Sequence, residues 1–427
     1  MSDVLTTDDP LYEELYDVRR EAETMGNLVE IDPYPPIAVL REKAPVHKGF
    51  LRDLLGLPEH YRHQLAIGRQ GYTALSFAAC EEAFRDPARF SSHIVHNPMS
   101  GDEKSMGVLE MDGAEHRTYR RGLQPMFLKP QAFGWWRTRY IDEIVAAVVE
   151  RLEGRDKAEL NLDVCARIPV HTITRAIGLE GNDALIFRDA FIKSGGIRIF
   201  PPEVQKAAAA TVERVLLELI AQRRAERGDD VISRLIDTNL RFEDGTERTM
   251  ADREVVLNCR LIMLAGGGTS WRQLGITIWA LLTHPEQYEA VRADRSLVHN
   301  AIEESTRWNP TAPVFSRLIM KDTELAGVPL TKDGVLEICL GAANRDPTRW
   351  DNPDRYDLFR PIQTNLAFGI GQHRCLGLNV AHAEITAAVN ALFDAFPNLR
   401  LDPDAPAPFL TGGLEQRGIS ALPVLLK

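Results

Sequence analysis

The segment best suited to carry chemistry runs from Phe368 to Gly377 and reads FGIGQHRCLG. Its two early glycines let the backbone take tight or positive-φ conformations and come close to a flat partner. Cys375 precedes a long helical pattern, and the amides and dipole of a helix N-terminus favour a thiolate over a thiol. A thiolate there can ligate iron. The alternative interpretation is a glycine-rich turn around a buried, inert cysteine.

A second unusual segment is AGGGTS, from Ala265 to Ser270, inside the longest helical pattern. Each of the three glycines costs a helix about 1 kcal/mol relative to alanine. A compensating interaction is therefore expected. Either a flat cofactor lies close to the backbone here, or another helix packs closely against it.

Charged side chains at helical spacing form two further candidates. Asp112 and Glu115 have the spacing of a capping box, and His116 and Arg120 then share one helix face at i, i+4. Such a basic face either meets water or binds acidic groups of a cofactor. In another helix Glu304 and the arginine three residues later form an i, i+3 pair, which contributes little stability if it is exposed.

Helical periodicity extends over residues 140–152, 207–223, 250–282, 297–308 and 378–396, while 46–76, 314–319 and 335–340 favour strands. This pattern predicts a mainly α fold with a small β-rich lobe, mainly within 30–80 and 310–345, and not an alternating βαβ fold.

Composition excludes several classes of protein. The 427 residues carry a net charge of −11, which disfavours general binding to nucleic acid or to anionic membranes. The five cysteines are scattered, which makes a poor disulfide framework or zinc site and indicates a reducing, cytoplasmic setting. We find no signal-peptide pattern at the start and no apolar run of the roughly 18–20 residues that span a bilayer.

The FGIGQHRCLG segment resembles the haem-binding loop of the cytochrome P450 family. Further motifs of that family follow in the right order: Glu304-x-x-Arg307, Asn344-Arg345-Asp346-Pro347 and Phe359-Arg360-Pro361. The resemblance implies the P450 fold in one domain over residues 1–427, with haem b between the Ala265–Thr269 helix and the Cys375 loop. It makes Cys375 the iron ligand, and it makes Glu304, Arg307 and Arg360 a buried structural triad.

The resemblance also implies which residues contact the haem. His116, Arg120, Arg317 and His373 fall on positions that bind the two propionates. Ala265, Gly266 and Phe368 fall on other cofactor-binding positions.

The expected catalytic position departs from the family pattern. Thr269 matches the threonine whose hydroxyl assists proton delivery to dioxygen, but the preceding acid of the family is replaced by Gly268. Water above the glycines, a group of the substrate, or poor coupling of reduction to oxidation are three explanations. We favour the water path.

The resemblance predicts a monooxygenase that hydroxylates a small, mostly apolar organic substrate with dioxygen. Electrons would come from a separate iron–sulfur ferredoxin and its reductase, and Arg117, Arg121 and Arg374 would lie near the docking face. Because of Gly268, a peroxide-using or non-oxidative haem-thiolate enzyme is the nearest alternative. A non-catalytic haem sensor is the second alternative, and it would need a signalling module that we do not find.

Three segments are expected to contact the substrate: Ser91 to Leu109, Thr311 to Phe315 and Phe409 to Leu414. Pro310, Ala312, Pro313, Val314, Phe315 and Leu410 make the predicted cavity mostly apolar. Terpenoids, steroids and apolar aromatics all fit this character.

Overall fold

Helices form most of the protein in the computed structural model, which describes residues 9–58, 67–95, 107–194 and 200–427. The helices are α1 Asp9–Leu15, α2 Val18–Met25, α3 Tyr34–Lys43, α4 Leu51–Leu54, α5 Phe77–Arg85, α6 Gly113–Leu123, α7 Lys129–Gln131, α8 Asp142–Glu150, α9 Arg167–Ala176, α10 Gly181–Ser194, α11 Pro202–Ala225, α12 Val231–Ile236, α13 Asp252–Leu282, α14 Pro285–Ala293, α15 Val298–Trp308, α16 Leu340–Ala343 and α17 Leu378–Ala395. Two π-helical segments, Ala132–Ile141 and Asn161–Cys165, precede α8 and α9.

The strands are short and form small sheets. They are β1 Val46–Lys48, β2 Gly71–Ala74, β3 Phe90–Ser91, β4 Lys157–Glu159, β5 Asn239–Arg241, β6 Glu247–Thr249, β7 Val314–Ile319, β8 Thr323–Leu325, β9 Val328–Leu330, β10 Val335–Cys339, β11 Arg400–Leu401, β12 Leu410–Gly412, β13 Arg417–Ile419 and β14 Pro423–Leu425. The largest sheet has five strands in the order β1-β2-β10-β7-β3. Only β2 and β10 in this sheet pair in parallel.

The predicted elements agree well with this architecture. The strand expected at 314–319 has those bounds, and the helices expected at 250–282 and 378–396 are α13 and α17. The pattern at 140–152 is less regular, because its first residues end a π-helical segment before α8 begins. No described helix is long and apolar enough to cross a bilayer.

The helix α13 runs through the largest apolar core, and most of its side chains are buried. It packs against α9, α11, α15 and α17. At its N-terminus the Glu254 carboxylate accepts a hydrogen bond from the Ala251 amide and pairs with Arg248. Hydrogen bonding and ion pairing therefore fix α13 at its N-terminus, and apolar packing holds it along its length.

Glu304 and Arg307 of α15 are buried, so the exposed-pair interpretation is wrong and the triad predicted from the resemblance is confirmed. Arg307 donates to both carboxylate oxygens of Glu304 at 2.7 Å, and Arg360 Nε lies 3.2 Å from Glu304 Oε1. Arg307 also donates to three backbone carbonyls, those of Asn344, Pro353 and Arg355. The triad therefore holds the irregular chain that leads to the Cys375 loop.

Replacement of Arg307 by alanine would leave the buried Glu304 carboxylate without its main partner. We expect Arg307→Ala to lower the free energy of unfolding by about 3–5 kcal/mol. The control is Arg292→Ala, since Arg292 forms an i, i+3 pair with Glu289 on an exposed helix face and should lose less than about 1 kcal/mol. Unfolding midpoints of the two variants, followed by circular dichroism, would contradict the assignment if they fell equally.

Candidate functional site

The loop that carries Cys375 has the predicted geometry. Gly369 and Gly371 have φ of 65° and 78°, in the left-handed region that glycine tolerates best. A Cβ at Gly371 would lie 2.9 Å from the carbonyl oxygen of Phe84, so a larger residue does not fit there. The Cys375 amide donates to the Phe368 carbonyl at 2.8 Å, which closes the loop. Both glycines are therefore needed by the backbone path.

Cys375 is exposed, whereas the other four cysteines are buried. The exposure of Cys375 contradicts the part of that alternative in which the cysteine is buried. Although the residue is exposed, the protein atoms packed against the sulfur desolvate it and raise the pKa of the Cys375 thiol, while the Gly377 amide, the Arg120 guanidinium and the Leu378 amide lower it. The predicted amide donors are thus present, but their effect on the pKa is smaller than that of desolvation.

His116 and His373 form the centre of a polar cluster beside this loop. Their ring centroids lie 4.2 Å apart. His116 is buried, and neither of its ring nitrogens has a hydrogen-bond partner in the part of the chain that the structure describes. Burial lowers its pKa to about 4, so the ring is neutral at pH 7 and keeps one N–H to donate. A buried donor of this kind needs an acceptor from a bound group.

Two arginines complete the cluster. Arg317 on β7 is 5% exposed, and burial lowers its pKa to about 10 although Asp112 raises it. Arg120 on α6 lies one turn after His116 and donates to the Arg374 carbonyl at 2.7 Å. The structure therefore brings together all four residues that the sequence associates with propionates.

Asp112 lies at the N-cap position of α6, as its place in the sequence predicts, but its side chain makes no capping hydrogen bond, so the Asp112 half of the predicted capping box is wrong. Its carboxylate instead accepts hydrogen bonds from Ser91 Oγ at 2.6 Å and the Ser92 amide at 3.1 Å, and it lies 3.2 Å from His373 Nε2. Tertiary partners have taken the lone pairs that a cap would use. Asp112 thus links β3, the start of α6 and the cysteine loop, a role that its local sequence does not reveal.

The three glycines of α13 differ in what they contact. A Cβ at Gly266 would lie 2.9 Å from Ile173 Cδ1, and one at Gly267 would lie 2.7 Å from Arg188 Nη1. Close packing therefore explains these two. A Cβ at Gly268 would meet nothing nearer than Arg272 Nη1 at 3.9 Å. Packing does not require glycine at 268. The Thr269 hydroxyl donates to the Ala265 carbonyl at 2.8 Å within the same helix.

A buried charged cluster lies beside Gly268. Arg272 donates to the Gly268 carbonyl, and its other terminal nitrogen lies 2.6 Å from Glu21 Oε1 on α2. Arg188 donates to the Met263 carbonyl at 2.7 Å. A small cavity with room for about one water molecule lies among Glu21, Arg188, Gly268 and Arg272. No local sequence pattern indicates this cluster, because its members are far apart along the chain.

The expected substrate segments lie partly in the core. Residues 96–106 of the first segment lie outside the described residues. Val314 and Leu414 are buried in one apolar cluster, while Phe315 and Phe409 are 36% and 51% exposed. Leu414 therefore packs in the protein interior, whereas the Phe315 and Phe409 rings remain accessible to solvent.

These residues fit the haem that the sequence predicts. An accessible cysteine sulfur at the head of α17 can ligate iron. The unpartnered, buried His116 ring and the Arg317 guanidinium supply donors for carboxylates. The donor set therefore matches the chemistry of an iron porphyrin with two propionates.

Glu384 on α17 is a buried acid that faces α13, beside the hydroxyls of Thr172 and Ser270. Burial raises its pKa to about 8, although these hydroxyls lower it. The folded protein therefore keeps Glu384 neutral at a pH at which the unfolded chain ionises it. Stability from this group is full below about pH 4.5 and is lost as pH rises towards 8. The loss is at most about 1.4 kcal/mol per pH unit.

We expect Glu384→Gln to remove this pH dependence. Between pH 5.5 and pH 8.5 the unfolding temperature of the wild type should therefore fall relative to that of the variant. Thermal scans of the haem-loaded proteins at several pH values would measure the difference. Glu289→Gln, at a mostly exposed glutamate, is the control and should follow the wild type throughout. Parallel curves for the wild type and Glu384→Gln would refute the buried neutral carboxyl.

Comparisons with known proteins agree with this geometry. The family profile described as Cytochrome P450 matches residues 190–414. Pentalenic acid synthase of Streptomyces avermitilis is 33% identical over 92% of this chain and 94% of its own length. Vitamin D3 dihydroxylase of Streptomyces griseolus is 30% identical over 88% of this chain and 92% of its own. A crystal structure of the post-tailoring hydroxylase HmtN, involved in himastatin biosynthesis, superposes with a TM-score of 0.74 at 26% identity, covering 95% of this chain and 99% of that one.

The profile covers more than half of the chain, and the relatives align over most of their length. Further relatives are named as the cytochrome P450 monooxygenase PikC and as 6-deoxyerythronolide B hydroxylase. The chain belongs to the cytochrome P450 family and is a haem-binding monooxygenase of the oxidoreductase class.

Proposed function

We propose that the protein hydroxylates a small, mostly apolar organic molecule, with dioxygen as oxidant and a ferredoxin as electron donor. One P450 domain over residues 1–427 would carry the reaction. The observation that carries this proposal is the accessible Cys375 sulfur beside the buried, unpartnered His116. A non-catalytic sensor has no comparable support, because the relatives are enzymes.

The residue roles follow from position and chemistry. When bound, haem b supplies the reductive activation of dioxygen and the oxidation of a C–H bond. Cys375 would ligate its iron. His116, Arg120, Arg317 and His373 would hold its propionates by charge-assisted hydrogen bonds. Ala265 and Phe368 would line the space for its ring. Gly266 would border the same space in addition to packing against Ile173.

The proposed electron donor is an acidic iron–sulfur protein. Arg374 is exposed within the cysteine loop, and Arg121 is exposed on α6. Arg117 is exposed too but pairs with Glu243 at 2.5 Å, so less of its charge is available. On a chain with a net charge of −11, a local positive patch would steer an acidic ferredoxin towards this face.

The proposed substrate is apolar and of moderate size. Pentalenic acid synthase and vitamin D3 dihydroxylase are named for largely hydrocarbon, polycyclic molecules. The exposed Phe315 and Phe409 rings are consistent with a ligand of that character. Terpenoids and steroids are therefore the first classes to test, before apolar aromatics.

Turnover separates this proposal from its rivals. We expect a saturable low- to high-spin shift of the haem with one terpenoid or steroid class. Hydroxylated product should form faster with ferredoxin, ferredoxin reductase and NAD(P)H than with hydrogen peroxide alone. Faster product with peroxide would favour a peroxygenase, and an unoxidised, rearranged product would favour an isomerase. A spin shift without any product would favour a sensor.

A matched pair of cysteine variants controls this test. Cys375→Ser should abolish turnover and the thiolate signature of the haem spectrum. Cys259→Ala, at a buried cysteine of α13, should keep both. Loss of the signature in both variants, or in neither, would contradict Cys375 as the ligand.

We propose that Glu21 supplies the carboxylic acid that the family has at the position of Gly268. Glu21 lies on the side of α13 where Gly268 faces Arg272, and its side chain is 14% exposed. Its carboxylate would take a proton from solvent and pass it to a water in the cavity beside Gly268. Thr269 does not line that cavity, so further water would carry the proton to its hydroxyl. Arg272 is always charged, so it would position Glu21 and the water without carrying the proton. This path gives the expected water route above the glycines a specific donor.

We expect Glu21→Gln to lower the product formed per NAD(P)H several-fold and Thr269→Ala to lower it further. Glu23→Gln is the control, because Glu23 is a half-exposed acid on the same helix that pairs with Arg19. Gly268→Glu should restore coupling in the Glu21→Gln background, since space for a Cβ exists. If Thr269→Ala alone changed coupling, Glu21 would be excluded. If neither Thr269→Ala nor Gly268→Glu changed coupling, the route through this segment would be ruled out.

A further inference from the structure

Two histidines and a glutamate meet on the surface between α15 and α17. His299 and Glu303 lie one turn apart on α15, and His382 faces them from α17. Each can direct one nitrogen or oxygen atom into a common space, and these three atoms lie within 4.8 Å of one another. The sequence shows the i, i+4 pair on α15, but only the packing of the two helices adds the third member.

One distance within this group resembles that between two ligands of one metal ion. His382 Nε2 lies 3.5 Å from Glu303 Oε1. Ligands placed about 2.0–2.1 Å from a tetrahedral zinc ion are themselves separated by about 3.4 Å. The observed separation is at the long limit for a hydrogen bond but close to that edge of a zinc tetrahedron.

His382 provides an independent sign of a missing partner. It is 5% exposed, and its Nε2 atom has no hydrogen-bond partner among the described residues. A buried imidazole nitrogen in this state is a rare and costly arrangement.

The surroundings hold the ligands in place and leave an entry path. Asn365 Nδ2 donates to Glu303 Oε2 at 3.3 Å, which leaves Oε1 for the shared space. The Phe368 ring packs 5.6 Å from the His382 ring and restricts its rotation. His299 is exposed, so an ion can reach the site from solvent. Such outer contacts are typical of built metal sites.

We propose that His299, Glu303 and His382 bind one divalent transition-metal ion of the zinc class, separate from the haem iron. Two imidazoles and one carboxylate form a three-ligand zinc set, and water would fill the fourth position. The ion would join α15, which carries Glu304 and Arg307, to α17, which follows Cys375. The scattered cysteines exclude a cysteine-based zinc site but have no bearing on this one.

The test is zinc binding to the haem-loaded enzyme after treatment with a chelator, by equilibrium dialysis. Cys375 is then bound to the haem iron, and the other four cysteines are buried, so none of the five competes for zinc. We expect the wild type to bind one equivalent of zinc more than His299→Ala. Glu303→Gln should bind at least about tenfold more weakly than the wild type. His47→Ala, at a half-buried histidine of the β-rich sheet, should bind as the wild type does.

Thermal unfolding provides a second readout that does not depend on activity. Zinc should raise the unfolding temperature of the wild type and of His47→Ala but not that of His299→Ala, whereas magnesium should raise none of them. His299 is exposed, so its removal should not prevent folding, and an unchanged haem spectrum would verify this. Equal zinc binding by the wild type and His299→Ala would mean that zinc binds only to scattered surface histidines and not to this group. That result, or no binding at all, would overturn the proposal.

Discussion

The haem site depends on the burial of one carboxylate. Glu304 is 5% exposed, and a bare ionised group there would cost several kcal/mol. Arg307 and Arg360 neutralise it, and Arg307 also binds the carbonyls of residues that have no regular structure of their own. The Glu304 carboxylate can stay ionised in the interior because the backbone carbonyls hold Arg307 beside it. In turn, the irregular chain is ordered because Arg307 has to remain close to Glu304.

From this network the order extends to the cysteine by short steps. The Asn344 backbone binds Arg307, and its side-chain oxygen accepts a hydrogen bond from the Leu366 amide at 2.7 Å. Two residues further on, the Phe368 carbonyl accepts the Cys375 amide. An iron ligand has to be fixed to within a fraction of an ångström, and a loop alone does not achieve this. The scaffold therefore contributes as much to the site as the sulfur does.

Local patterns predicted whatever depends on near neighbours. The glycine spacing before Cys375 predicted a positive-φ loop, and helical periodicity predicted α13 and α17. Where the prediction failed or was silent, a distant residue decided the outcome. The Asp112 carboxylate has the spacing of a cap, yet it binds Ser91 and His373, which reach it only through tertiary structure. Glu21 meets Arg272, and His382 meets Glu303, through helix packing that a single sequence does not encode locally.

The three glycines of α13 show why one motif can contain residues with separate causes. Ile173 and Arg188 occupy the space beside Gly266 and Gly267, so those glycines serve packing. Gly268 has no such neighbour, and Arg272 approaches its carbonyl instead. In the proposed proton route, the acid lies on α2 and not at position 268 of α13. The helix α2 is held by the C-terminal hairpin β12–β13, since the Val29 amide that follows it donates to the Gly412 carbonyl. A proton path through Glu21 would therefore depend on both ends of the chain, which an acid at position 268 would not require.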